Sequence, residues 1–140
     1  MAQLDALTPF GAGPVEGIVH YLSERNVQDT VAALSLTIEG AGAKIFADID
    51  QAAEAKQAGL ELRPTRLIVF GNPRAGTALM QAVPLAALDL PLKLLVWQAD
   101  DGRTWVTCLS GEWLRARYGI PENFAGVLGT AEHLASRAIS

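Results

Sequence analysis

Apolar residues at Val27, Val31, Leu34 and Ile38 recur at steps of four, three and four, the 3.6-residue period of a helix with one buried face. Asn26 stands at the N-cap position, Asp29 adds favourable charge to the first turn, and Gly40 or Gly42 suits the left-handed residue that ends a helix. Upstream, Gly11-Ala12-Gly13-Pro14 closes a turn-rich lead-in over residues 1–14, and a first strand is expected from Gly17 to Leu22. After the helix the period changes to two: Ile45, Ala47 and Ile49 are expected on one strand face, and Lys44, Phe46, Asp48 and Asp50 on the other.

Asp50 then caps a short alanine-rich helix through Ala52, Ala53, Ala55 and Lys56, with Gly59 as its stop. The continuously apolar run Leu67 to Phe70 reads as a central strand covered on both sides. Gly71 breaks it. Asn72 as cap and Pro73 at the first helical position start a helix that carries Ala75, Leu79, Met80 and Val83. Leu92 to Trp97 and Thr104 to Cys108 read as two strands joined at Asp101-Gly102, a strong hairpin signal. Ser110 caps a helix with Trp113, Leu114 and Tyr118, and a last helix begun by Pro121 buries Phe124, Val127, Leu128, Ala131 and Leu134. The order βαβαβα-ββ-αα predicts an α+β fold, a two-layer sandwich with a mixed sheet of about five strands and helices packed on it. One domain over residues 1–140 is expected.

Composition narrows the function classes. Half of the residues are hydrophobic and 19% are charged, which places the chain among globular domains. A net charge of -4 gives no large basic field, so nucleic acid is not an expected partner. Apolar stretches such as Leu67-Ile68-Val69-Phe70 and Leu94-Leu95-Val96-Trp97 are only four residues long, far short of the roughly twenty that span a bilayer, so no membrane partner is expected. The first residues, Met1-Ala2-Gln3-Leu4-Asp5, have neither the basic start nor the apolar run of a secretion signal, which reads as cytoplasmic. The single cysteine excludes an intramolecular disulfide, and with two isolated histidines it offers no zinc spacing. Gly11-Ala12-Gly13 fails as a dinucleotide fingerprint because no strand precedes it. No cofactor is expected.

A set of short motifs resembles a known family. These are Phe46-Ala47-Asp48-Ile49-Asp50, Phe70-Gly71-Asn72-Pro73-Arg74-Ala75-Gly76-Thr77, Leu90-Pro91-Leu92-Lys93 and Asp101-Gly102-Arg103-Thr104-Trp105. Collinear from about Val27 to Ile120, they are similar to the domain of unknown function 302 family. That resemblance implies a small sheet-and-helix fold, found mostly in bacteria and archaea, with no agreed activity. Two departures stand out: Gln51 replaces a histidine common in the family, and Cys108-Leu109-Ser110 replaces Tyr-Asn-Asp or similar. An amide at position 51 neither titrates near neutrality nor binds transition metals well, so a histidine-dependent reaction could not operate there.

The candidate chemistry centres on Gly71, Asn72 and Arg74, where a buried strand runs straight into a helix start. Free backbone N–H groups, the positive end of the helix dipole and a guanidinium fork suit a carboxylate or phosphate. Turn formation and capping alone also account for Gly71, Asn72 and Pro73. Lys56 and Lys93 are the other basic candidates, although Lys93, between Leu92 and Leu94, could equally lay its stem over apolar surface. Asp48 or Lys56 could serve a proton transfer. Cys108 reads as a core thiol. Trp97 and Trp105 could form core, ligand floor or subunit contact. The expected function is therefore binding of an anionic small molecule without obvious catalysis, in a homodimer. The alternatives are an enzyme using Asp48 or Lys56 and a structural or protein-interaction module.

Overall fold

The computed structural model describes residues 8–139. Residues 1–7 of the expected lead-in lie outside the described residues. Five strands, β1 (Ile18–Ser23), β2 (Lys44–Asp50), β3 (Thr65–Gly71), β4 (Leu92–Gln98) and β5 (Thr104–Leu109), form one sheet in the order β1-β5-β4-β3-β2. The helices are α1 (Val27–Gly40), α2 (Gln51–Gln57), α3 (Pro73–Ala82), α4 (Gly111–Tyr118), α5 (Ala125–Leu128) and α6 (Thr130–Ile139). The α+β, two-layer architecture expected from the sequence is the one observed.

The sheet is antiparallel at every pairing rather than mixed. Each of the segments between β2 and β3 and between β3 and β4 returns the chain to the end of the sheet it left, so each next strand runs back beside its predecessor. The connection between β1 and β2, at opposite edges of the sheet, is made by α1.

The core lies between α1, α6 and one face of the sheet. Val31, Leu34 and Ile38 of α1 and Leu134 and Ala135 of α6 are buried against Ile68, Phe70, Leu94, Val96 and Val106. The 3.6-residue period thus marks the helix face that is buried, and Asn26 caps it as expected, its Oδ1 accepting from the Asp29 N–H at 2.7 Å. The run Leu67 to Phe70 is covered on one side only: Ile68 and Phe70 are buried, whereas Leu67 and Val69 on the outer face are half-buried. The outer face is closed mainly around β5, where Trp105 is 1% exposed.

Two other expectations change. In β2 a bulge shifts the register between Ile45 and Ala47, so that Ile45 opposes Phe70 while Ala47 opposes Val69. Residues directly opposite in a sheet share a face, so Ile45 faces the core and Ala47 and Ile49 face outward. The period-two reading put all three together because it has no place for an extra residue. The single last helix is also broken: Glu122–Phe124 forms a 3-10 turn, and Gly129 separates α5 from α6.

Candidate functional site

The bulge frees Phe46 from strand alternation and sets it into a cleft of about 410 Å³ at the end of the sheet. Its floor is Phe70, buried at the end of β3, and Leu92 at the start of β4. Ala75 and Met80 of α3 form one wall, and Val127 of α5 with Thr130 of α6 form the other. The mouth includes Gly71 and Asn72. No lining residue is charged, and Asn72 and Thr130 supply the polar side chains. The Thr130 hydroxyl already donates to the Gly126 carbonyl at 3.1 Å.

Asn72 does the capping that the sequence predicts. Its Oδ1 accepts from the N–H of Arg74 at 3.0 Å and, at 3.4 Å, from that of Ala75, while its own carbonyl accepts from Gly76 N–H at 2.8 Å. Pro73 has no N–H to give. The backbone donors that an anion at this helix start would use are therefore already satisfied. Arg74 is exposed between two lining residues, Pro73 and Ala75, and forms no ion pair among the described residues.

A second cation stands near the mouth that the sequence did not single out. Lys44 opposes Gly71 across β2 and β3, and its ammonium sits 5.4 Å from the centroid of the Phe46 ring. Such a cation over an aromatic face is held by the ring quadrupole. Phe46 opens one of the family motifs, but nothing in the sequence marks Lys44 or places either residue beside Gly71. The bulge sets Phe46 out of alternation, and alternation conceals it.

Of the five residues expected to form a site, Gly71, Asn72 and Arg74 stay together, and the two lysines fall elsewhere. Lys56 lines a separate depression beside α2 with Asp50, Leu60 and Leu62. Lys93 opposes Val69 on the outer face of the sheet, half-buried, as expected of a stem laid over apolar neighbours. Asp48 lines neither depression. Its carboxylate takes a bidentate pair from Arg66, with Nε at 2.9 Å and the terminal nitrogen at 2.6 Å.

The remaining candidates are structural in their geometry. Cys108 is buried, and burial first, then the charge of Glu132, pushes its thiol up to about 12, so it carries almost no thiolate at neutral pH. Trp97 and Trp105 oppose each other on the outer face. Thr107 Oγ1 accepts from Trp97 Nε1 at 2.9 Å and lies 2.8 Å from His20 Nδ1. Burial lowers the pKa of His20, which favours the neutral ring in that contact. The Trp105 Nε1 is buried and has no hydrogen-bond partner among the described residues. Among the described residues no group of three or more metal-ligating side chains occurs, and no helix is long and apolar enough to cross a membrane.

Comparison with known proteins completes the picture. The family described as Domain of unknown function DUF302 matches residues 19–138, wider than the stretch from Val27 to Ile120 that carries the sequence motifs. A Bacillus stearothermophilus structure, described as an uncharacterized conserved protein DUF302, superposes with a TM-score of 0.75 at 15% identity. That superposition covers 89% of this chain and 97% of the other, and at this identity it speaks for the fold alone. Fluoride-specific ion channel FluC 1 of Brucella suis is 38% identical over 104 residues, 74% of this chain and 41% of that protein. FluC 1 of Brucella abortus matches at the same identity, with 38% of its length covered. The chain thus spans about two fifths of the curated relatives it matches.

Proposed function

The chain belongs to the DUF302 family, and on that premise we propose that it is a ligand-binding domain whose cleft takes a small amphipathic anion. The apolar body of the ligand lies against Phe70, Met80 and Val127, and its acidic head stays at the mouth, near Lys44 and Arg74. The observation that carries this reading is an uncharged cleft of about 410 Å³ with the Lys44 ammonium over the Phe46 ring of its lining and Arg74 exposed between the lining residues Pro73 and Ala75, in a chain of net charge -4. The volume lies in the usual range of small-molecule sites, about 300–1,000 Å³, which combine apolar walls with a few polar groups that orient the ligand. The anion expected from the sequence is kept in this reading, but it is held by side chains at the rim and not by the helix backbone.

Titration with octanoate and with 1-octanol, followed by amide chemical shifts, tests it. Both should saturate shifts at Gly76, Val127 and Thr130, with octanoate the tighter. Exchanging Lys44 and Arg74 together for glutamine should weaken octanoate by roughly threefold to tenfold at low salt, as expected for exposed charges worth up to about 1 kcal/mol each, and leave octanol unchanged. No saturable binding of either compound would overturn the reading. Equal affinity for both would remove the anionic head from it.

A second reading concerns the setting of the domain. The Brucella relatives are fluoride-specific ion channels, yet this chain matches only about two fifths of them. An ion channel crosses the bilayer by helices or a closed barrel. Among the described residues no helix is long and apolar enough, and the sheet is open at β1 and β2. These features support an accessory module carried beside a channel, with conduction belonging to the rest of the relatives. Liposomes containing this chain alone should pass no fluoride, whereas the full-length Brucella suis protein should. Flux through the chain alone would sink this reading.

A further inference from the structure

Asn72 has two polar ends with different fates. Its Oδ1 is turned to the start of α3, where it accepts from Arg74 and Ala75 N–H, and this fixes which way the planar amide faces. The Nδ2 end then carries two N–H donors, and it has no hydrogen-bond partner among the described residues, although Asn72 lines the cleft. The other polar side chain of the lining, Thr130, spends its hydroxyl proton on Gly126. The cleft therefore offers one uncommitted side-chain donor, held in place by the same cap that starts the helix. We propose that the Asn72 amide N–H₂ is the specificity-determining group of the cleft, binding a carboxylate oxygen of the ligand while Oδ1 caps α3. This rests on the reading of the cleft as a site for an amphipathic anion and assigns its head group to a carboxylate.

Capping and ligand binding can be separated because asparagine, aspartate and serine cap helices about equally well. Asn72→Asp keeps an acceptor for the helix N–H groups but replaces the donor by a charged oxygen. Asn72→Ser keeps a cap, adds no charge and lacks the amide donor. Both variants should melt within about 4 °C of the wild type, the shift expected for a change of less than about 1 kcal/mol. With octanoate as probe, Asn72→Ser should bind about tenfold or more weakly, the usual effect of losing a hydrogen bond to a charged group. Asn72→Asp should bind more weakly still, and 1-octanol should bind both variants like the wild type.

Wild-type affinity for octanoate in Asn72→Ser would overturn the assignment, and so would a loss confined to Asn72→Asp, since repulsion alone would then account for it. Equal weakening of octanoate and octanol in both variants would mean that residue 72 shapes the cleft and does not choose the head group, which also overturns it. Absence of binding of both probes to the wild type would remove the ligand-binding reading itself and this assignment with it.

Discussion

Exchange of Gly111 for alanine lowers the stability of the folded protein by about 3 kcal/mol, the upper part of the usual range for overpacking a well-filled contact. Helix propensity alone predicts the opposite sign, because alanine is favoured over glycine within helices by about 1 kcal/mol. Packing decides against it. A Cβ on Gly111 would lie 2.7 Å from both the carbonyl carbon and the oxygen of Leu128, and 2.8 Å from the amide nitrogen of Gly129. These are backbone atoms at the junction of α5 and α6, so no side-chain rotation relieves the contact. The Gly111 N–H is also tied to Glu132 Oε1 at 2.7 Å, which holds α4 against α6. For a chain of this size, 3 kcal/mol corresponds to a fall in Tm of roughly 10 °C, measurable by circular dichroism. An unchanged or raised Tm would mean that α4 and the α5–α6 junction do not abut.

Truncation of Phe70 to alanine costs about 4 kcal/mol, within the usual range for a buried phenylalanine. Phe70 is 0% exposed, opposes Ile45 on β2 and Leu92 on β4, and forms part of the cleft floor. Its loss removes a large apolar surface from the core and leaves a space that opens into the cleft. Urea unfolding should show a lower midpoint with an unchanged slope, the signature of lost stability without a change in the surface exposed. Leu36, 74% exposed on the outer side of α1, is the control: its change to alanine should stay within about 0.5 kcal/mol of the wild type. A Phe70 variant as stable as that control would mean that the end of β3 is not packed as described.

The sequence made local structure legible wherever one residue type had one physical job. Val27, Val31, Leu34 and Ile38 can share a face only on a helix. Asn26, Asp50, Asn72 and Ser110 each bind a backbone N–H at the start of a helix, as their positions predicted. Gly71 and Asn72 were legible as a strand-to-helix turn for the same reason, since that turn is a local feature, and both line the cleft. What long-range pairing decides was not legible. Alternation cannot reveal the bulge, and without the bulge nothing links Lys44 and Phe46 to Asn72. The far wall of the cleft comes from Val127 and Thr130, more than fifty residues downstream of Asn72, and no short motif records that approach. Lys56 and Lys93 were drawn to the site by charge, whereas topology put Lys56 beside α2 and Lys93 on the outer sheet face.

The bulge in β2 has a second effect, on how molecules of this chain meet one another. β2 is an edge strand with one side unpaired, and a regular unpaired edge is a template on which another strand can add and start a fibre. The extra residue at Phe46 interrupts the even spacing of the exposed N–H and C=O groups. Lys44, Asp48 and Asp50 also place charge along the same seven residues, which a second copy would have to bring close to its own. The irregularity that shapes the cleft therefore also guards this edge of the sheet against edge-to-edge pairing, so straightening β2 would endanger solubility along with the cleft.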